Sequence, residues 1–292
     1  MFFQMAESPM NTSSSLRPPS KFSHRPDLPI AVVIGAGGLS MAIAQRLGQH
    51  HRIVLVSVSA PELDVGQARL HELGVVSTTF TCDITQSASV DQLGAFVSDL
   101  GDIASLAHVA ALSPAAGDWR AILSVNLIGA ALVERQMYSR MRSPQGAAVF
   151  ISSLAAHGPE PNRQVVAVLD DPLAPDLLAK IEQLEKAITA GWAYSLSKLG
   201  LNRLVRRRAA TWGERGARIV SISPGLIDTP MGALEDQRSS TDAKARLRSR
   251  RPLNRDGSMA DIADAVEFLT SARASYITGT DLLVDGGLSS AS

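Results

Sequence analysis

Ile30-Ala31-Val32-Val33-Ile34-Gly35-Ala36-Gly37-Gly38-Leu39-Ser40 holds three structural signals in one short run. Five consecutive apolar residues, mostly β-branched, form the pattern of a strand buried on both faces, as in a parallel sheet. Gly35 and Gly37 then permit a tight turn, and Ala42-Ile43-Ala44-Gln45-Arg46-Leu47 carries helical spacing. A strand, a glycine turn and a helix N-terminus in that order gather free N–H groups at one spot, which suits a pyrophosphate. Gly38 and Leu39 complete the turn. Ser40 stands where the usual fingerprint has a third Gly or Ala; it is small enough for close packing, and its hydroxyl is expected to add a phosphate contact.

The same alternation continues outward from this unit. Strands are expected at Ile53–Val56, Val76–Phe80, Ile103–Val109, Ala147–Ile151, Arg218–Ile222 and Asp281–Val284. Helices are expected at Pro61–Leu73, Asp91–Leu100, Trp119–Met141, Tyr194–Trp212 and Ala260–Leu269. Strands alternating with helices imply an α/β fold with a Rossmann-type doubly wound parallel sheet, in a single domain over 29–292. Residues 1–28, rich in Ser, Pro and Met and without hydrophobic periodicity, read as a disordered tail.

Composition narrows the partners. Lys plus Arg and Asp plus Glu both number 28, so the net charge is zero and the basic surplus of a nucleic-acid binder is missing. The lone cysteine, Cys82, excludes an internal disulfide. The six histidines do not fall at metal-ligand spacing, so no metal site is expected. No apolar run approaches the roughly 18 residues of a membrane span. The expectation is a soluble, cytoplasmic protein with a small-molecule ligand, no nucleic acid and no membrane.

The end of the second strand ordinarily separates NAD from NADP through a carboxylate facing the ribose 2′-hydroxyl. Here Ser57-Val58-Ser59 follows, with no acid before Glu62 and no Arg or Lys alongside. Without a carboxylate to repel a 2′-phosphate, and with Ser57 or Ser59 able to hydrogen-bond one, the balance favours NADP(H) over NAD(H). Asp83, after the third strand, is placed either to accept a hydrogen bond from the adenine or to act as a turn or N-cap residue.

Chemistry is expected further along. Tyr194 and Lys198 lie one helical turn apart on one face. A free tyrosine has a pKa near 10, and an ammonium one turn away brings it toward the working range of an acid–base catalyst. Ser153 follows the fifth strand at the C-terminal sheet edge, where it would hydrogen-bond a substrate oxygen. Asn126, an awkward helix former, would hold a water beside Lys198 or serve as a satisfied core amide.

Together these pieces resemble the short-chain dehydrogenase/reductase family over roughly Pro29 to Leu288, with Ser223-Pro224-Gly225, Thr229-Pro230-Met231, Tyr276-Ile277-Thr278-Gly279 and Val284-Asp285-Gly286-Gly287 completing the pattern. The resemblance implies a catalytic tetrad of Asn126, Ser153, Tyr194 and Lys198, with Lys198 also holding the nicotinamide ribose. It implies cofactor contacts from Ala110, from Pro224 and Gly225, and from Ile227 and Thr229. Its activity would be NAD(P)(H)-dependent interconversion of a secondary alcohol and a carbonyl, on an apolar or alicyclic substrate. The family's dimer-forming helices would be Trp119–Met141 and Tyr194–Trp212, so a homo-oligomer, dimer or tetramer, is expected.

Three departures stand out: Ser40 in the phosphate turn, His108-Val109-Ala110-Ala111 in place of Asn-Asn-Ala-Gly, and 41 positions between Ser153 and Tyr194. The last implies an insertion of about 28 residues within 156–190, with a helix over Asp176–Ile188. The bacterial 3α-hydroxysteroid dehydrogenase/carbonyl reductase type has a similar insertion. The departures at Ser40 and His108 motivate one alternative, a non-catalytic nucleotide-binding sensor or scaffold.

Overall fold

Seven parallel strands form one sheet in the order β3-β2-β1-β4-β5-β6-β7. The structure, a computed structural model, describes residues 27–228 and 249–291. The strands are β1 Ile30–Ile34, β2 Arg52–Ser57, β3 Ser77–Thr81, β4 Ile103–His108, β5 Ala147–Ile151, β6 Arg218–Pro224 and β7 Asp281–Val284. The order reverses at β1, which pairs with β2 on one side and β4 on the other. In such a sheet, ligands bind at the C-terminal strand ends beside this switch point.

Helices cover both faces. Helices α1 Gly38–Leu47, α2 Ala60–Glu72 and α9 Met259–Thr270 pack on the face to which β1 contributes Ala31 and Val33. Helix α3 Ser87–Leu100, with α5 Ala130–Tyr138 and α8 Ala190–Glu214, covers the opposite face, to which β1 contributes Ile30, Val32 and Ile34. This period of two, apolar on both faces, is why the strand reads as an unbroken apolar run.

Several helical expectations need correction, among them Asp91–Leu100, which begins at Ser87 as α3. The stretch over Trp119–Met141 is helix α4 Trp119–Leu123, a π-helical turn Ser124–Gly129, and then α5, which stops at Tyr138. Helix α8 starts at Ala190, where Thr189 caps it by accepting from Trp192 N–H, so Tyr194 lies in its second turn rather than at its start.

The insertion is built into the domain. It contains α6 Arg163–Leu169, which the sequence pattern did not reveal, and α7 Leu177–Leu184, shorter than the expected Asp176–Ile188. Val165, Leu169, Leu177 and Ile181 bury themselves against Ile122, Leu123 and Leu127 of the α4 region and Ala193 and Leu196 of α8. Asp170 at the end of α6 pairs with both Arg203 and Arg207 of α8. Arg120 of α4 reaches Glu182 of α7 at 2.5 Å. The inserted helices thus cover part of α4 and α8.

Candidate active site

The glycine turn has the geometry of a phosphate cradle. Gly35 takes φ 120°, a conformation side chains resist, and a Cβ there would lie 2.6 Å from Ser40 Oγ and 3.2 Å from Ala110 N. Gly37 caps α1 without any side-chain hydrogen bond, and a Cβ on it would meet nothing within 4 Å. The first N–H groups of α1 therefore have no side-chain cap, and this arrangement fits a dinucleotide pyrophosphate. Gly38 is exposed and Leu39 packs toward the α1 core. Ser40 is buried with its hydroxyl close to Gly35, within the turn. Gly35 N–H donates to Val56 O at 2.6 Å and Ala110 N–H to Ile34 O at 2.8 Å, locking the turn to the ends of β2 and β1.

At the end of β2 the expected role of Ser57 changes. Its hydroxyl donates to Glu62 Oε2 at 3.3 Å, so the proton assigned to a 2′-phosphate already has a partner. Asp83 Oδ1 accepts from Thr85 N–H at 2.9 Å and from the Thr85 hydroxyl at 2.7 Å, which is the turn role foreseen for it.

The chemical residues gather at the C-terminal end of β5. Lys198 is 2% exposed; its Nζ donates to Ile151 O at 2.8 Å and lies 5.6 Å from the centre of the Tyr194 ring. Burial pulls Lys198 down to about 7, because loss of water disfavours the ammonium and no carboxylate among the described residues compensates. One N–H is engaged, leaving the others for an oxygen ligand. Ser152 N–H donates to Ile222 O at 2.7 Å and its hydroxyl to Lys198 O at 3.2 Å, tying β5, β6 and α8 together. Ser153 Oγ accepts from Ala155 N–H at 3.1 Å, a bond that uses a lone pair and not the hydroxyl proton.

Asn126 is a positioning group. Oδ1 accepts from Leu112 N–H at 2.7 Å, while Nδ2 donates to Leu112 O at 2.9 Å and Ser197 Oγ at 3.2 Å. Both Nδ2 hydrogens are thereby engaged, as the satisfied-amide alternative expects, and Oδ1 keeps a second lone pair. The π-helical turn around Asn126 carries this amide inward to the loop after β4.

His108, the departure in the family pattern, is buried and stacks on Phe150 with ring centres 5.3 Å apart. Burial first, then the nearby Lys198 charge, bring it down to about 3, so it is neutral at working pH. Its Nε2 is buried without a hydrogen-bond partner.

Gly225, expected to bend over the cofactor after Pro224, answers first to packing: a Cβ there would lie 2.7 Å from Asp285 Cα. Ile227 bridges to Gly257, and Thr229 lies outside the described residues.

Sequence reasoning missed one cluster beside this site. Asp281 Oδ2 accepts from the Ser223 hydroxyl at 2.7 Å and contacts His157 Nε2 at 2.8 Å. His157 ends the turn that Ser153 begins, and Ser223 directly precedes Pro224, so the cluster joins two segments of the site. Its members are 58 and 124 positions apart, with no local pattern to betray them.

Tyr194 has apolar neighbours: with Leu112, Trp119 and Trp192 it packs against the cluster that the insertion forms with the α4 region and α8.

Residues 29–166 match the family model described as short chain dehydrogenase, and residues 179–289 the one described as enoyl-(acyl carrier protein) reductase. Short-chain dehydrogenase/reductase bsc3 of Alternaria brassicicola is 34% identical over 259 residues, 88% of this chain and 94% of that protein. The chain belongs to the short-chain dehydrogenase/reductase family. It is thus an oxidoreductase of the class acting on CH–OH groups and their carbonyl counterparts. Within the family, 3-alpha-hydroxysteroid dehydrogenase/carbonyl reductase of Comamonas testosteroni is 34% identical over 178 residues, 57% of this chain and 65% of that protein. Two solved structures share the fold at 24% identity. The actinorhodin polyketide ketoreductase with NADPH has a TM-score of 0.72, over 90% of this chain and 98% of that one. The 3-alpha-hydroxysteroid dehydrogenase from Pseudomonas sp. B-0831 with NADH has a TM-score of 0.71, over 89% and 97%. Among the described residues no helix is long and apolar enough to cross a membrane.

Proposed function

We propose that this short-chain dehydrogenase/reductase interconverts a secondary alcohol and a ketone on an apolar or alicyclic substrate, with NAD(H) or NADP(H). The observation that carries the reading is Tyr194 beside a buried Lys198 whose Nζ is fixed by Ile151 O, one residue before Ser152-Ser153. When bound, a nicotinamide dinucleotide supplies or accepts the hydride. The N–H groups at Gly37 and Gly38 would hold its pyrophosphate, and Lys198 a ribose hydroxyl.

In the reducing direction Tyr194 Oη delivers a proton to the carbonyl oxygen, and in the oxidising direction it takes the alcohol proton. Ser153 Oγ–H donates to the same oxygen and steadies the charge that develops there. The Lys198 ammonium stabilises the Tyr194 phenolate. Because burial holds Lys198 at about 7, each oxygen that accepts from Nζ moves it back toward the charged form. Asn126 and Ser152 fix the backbone around this pair.

The apolar side chains around Tyr194 support a hydrophobic substrate, and the hydroxysteroid and polyketide names among the relatives accord with one. The reading includes a homo-oligomer, since edge strand β7 leaves Leu282 and Leu283 exposed near an exposed Tyr276; analytical ultracentrifugation of the full chain tests it.

Incubation with reduced dinucleotide and a panel of alicyclic ketones tests the activity. Absorbance loss abolished by Tyr194→Phe is expected. Tight dinucleotide binding without turnover on any carbonyl would favour the sensor alternative, and full activity of Tyr194→Phe would overturn the residue assignment.

A further inference from the structure

Given the dinucleotide site proposed above, we infer that Glu62 reads the adenosine ribose and makes this enzyme prefer NAD(H) to NADP(H). The position usually held by an acid, at the end of the second strand, is Ser57, and sequence alone leaves that end without a negative charge. The fold restores one.

Ser57 is the last residue of β2 and lies beside the phosphate turn, because its neighbour Val56 accepts from Gly35 N–H at 2.6 Å. On its other side, Ser57 O accepts from Cys82 N–H at 2.9 Å, which brings up the Asp83 turn. After Ser57 the chain doubles back at once into α2. Ser59 caps this helix, accepting from Glu62 N–H at 3.4 Å, and Ser59 N–H donates to Ser57 Oγ at 3.2 Å. This compact cap sends the Glu62 side chain back over the strand end, where Oε2 accepts the Ser57 hydroxyl at 3.3 Å. A carboxylate thus stands at the ribose end of the site and already accepts from a hydroxyl. Oε1 takes no part in these bonds, and the residue is exposed.

A 2′-hydroxyl can donate to such a carboxylate. A 2′-phosphate brings close to two negative charges against it, and the neighbouring cations lie elsewhere. Between Gly35 and Thr85 there is no lysine and there are three arginines. Arg46 pairs with Asp264 at 2.5 Å, and Arg69 with Glu72 in the last turn of α2. Arg52 opens β2 at its opposite end and donates to Leu28 O at 3.2 Å. Of the two hydroxyls that favoured NADP(H) in the sequence, that of Ser57 is turned to Glu62 and that of Ser59 caps α2. The same residue therefore supplies the attraction for one cofactor and the repulsion against the other.

The test is calorimetric titration of the full chain with NADH and with NADPH, for wild type, Glu62→Gln and Glu62→Arg. Glu62 is exposed and its cap bond uses the backbone N–H, so both variants are expected to fold; far-UV circular dichroism and melting curves verify this. Wild type should bind NADH about 10–100-fold tighter than NADPH, the scale of a hydrogen bond to a charged group. Glu62→Gln should shrink that ratio at least about tenfold, mainly by tightening NADPH, and Glu62→Arg should reverse it. Equal binding of both dinucleotides by wild type, a preference for NADPH, or an unchanged ratio in Glu62→Gln would overturn the assignment of Glu62 while leaving the dinucleotide site intact. Failure of wild type to bind either one would overturn both.

Discussion

Lys198 and Asp281 are both ionisable side chains buried near the C-terminal half of the sheet, and they are partnered in opposite ways. Lys198 has a backbone carbonyl for a partner and, among the described residues, no balancing carboxylate, and burial draws it down to about 7. Asp281 has a histidine and a serine hydroxyl on one oxygen. Glu134, equally buried on α5, resembles Asp281: Arg208 and Trp212 Nε1 both donate to it at 2.7 Å. A buried charge with a partner holds elements together, whereas one left without a counter-charge has a protonation state that a ligand can set. The lysine without a counter-charge among the described residues sits beside Tyr194, and the hydrogen-bonded carboxyl groups clamp the surrounding frame.

The sharpest way to break this contrast is at the reacting atom. Tyr194→Phe removes the proton donor and leaves the frame untouched. It is expected to lower kcat by about 10²–10⁴-fold with dinucleotide affinity and melting temperature nearly unchanged, as steady-state kinetics and titration would measure.

Lys198→Met tests the unbalanced charge through stability. The folded-state value of Lys198 is about 7 against 10.5 as a free side chain. Between those values the unfolded chain binds more protons, so the wild type gains stability as pH rises through that window. At pH 6 the variant should therefore be more stable than wild type, by an amount on the order of a few kcal/mol, while losing activity. The gap should close toward pH 10. Urea unfolding across this range would check it, and a gap independent of pH would contradict the desolvated lysine.

Asp281→Ala tests the balanced side. It strands Ser223 and His157 and should cost about 1–3 kcal/mol of stability, with kcat reduced no more than about tenfold because the residue braces segments rather than touching substrate. A loss as large as that of Tyr194→Phe, in a folded variant, would erase the distinction between the two buried groups.

What the sequence disclosed follows the range of the signals. The β1–glycine–α1 unit was legible because each step is local: an apolar run, a glycine that must take φ 120°, and a helix with an open N-terminus. The Tyr194 and Lys198 pairing was legible because one helical turn fixes it. Asn126 was singled out, but not the π-helical turn that carries it, since a widened turn leaves the apolar spacing nearly intact. Helix α6 escaped because seven residues give barely two turns of periodicity. Glu62 was noted as the first acid after β2, and only the Ser59 cap reveals that it folds back over the strand end. The Asp281 cluster had no signal at all, as its bonds join separate strands and loops.

Titration of Lys198 shows whether its charge is set by what binds beside it. The chain has five lysines, so Lys-selective ¹³C labelling, with Lys198→Arg for assignment, resolves the Cε signal of Lys198 by NMR. Without ligand the signal should titrate near 7, and saturating NADH should move that midpoint up by about one unit or more as ribose oxygens take the free N–H groups. A midpoint near 10.5 without ligand, or one that dinucleotide leaves in place, would contradict the account.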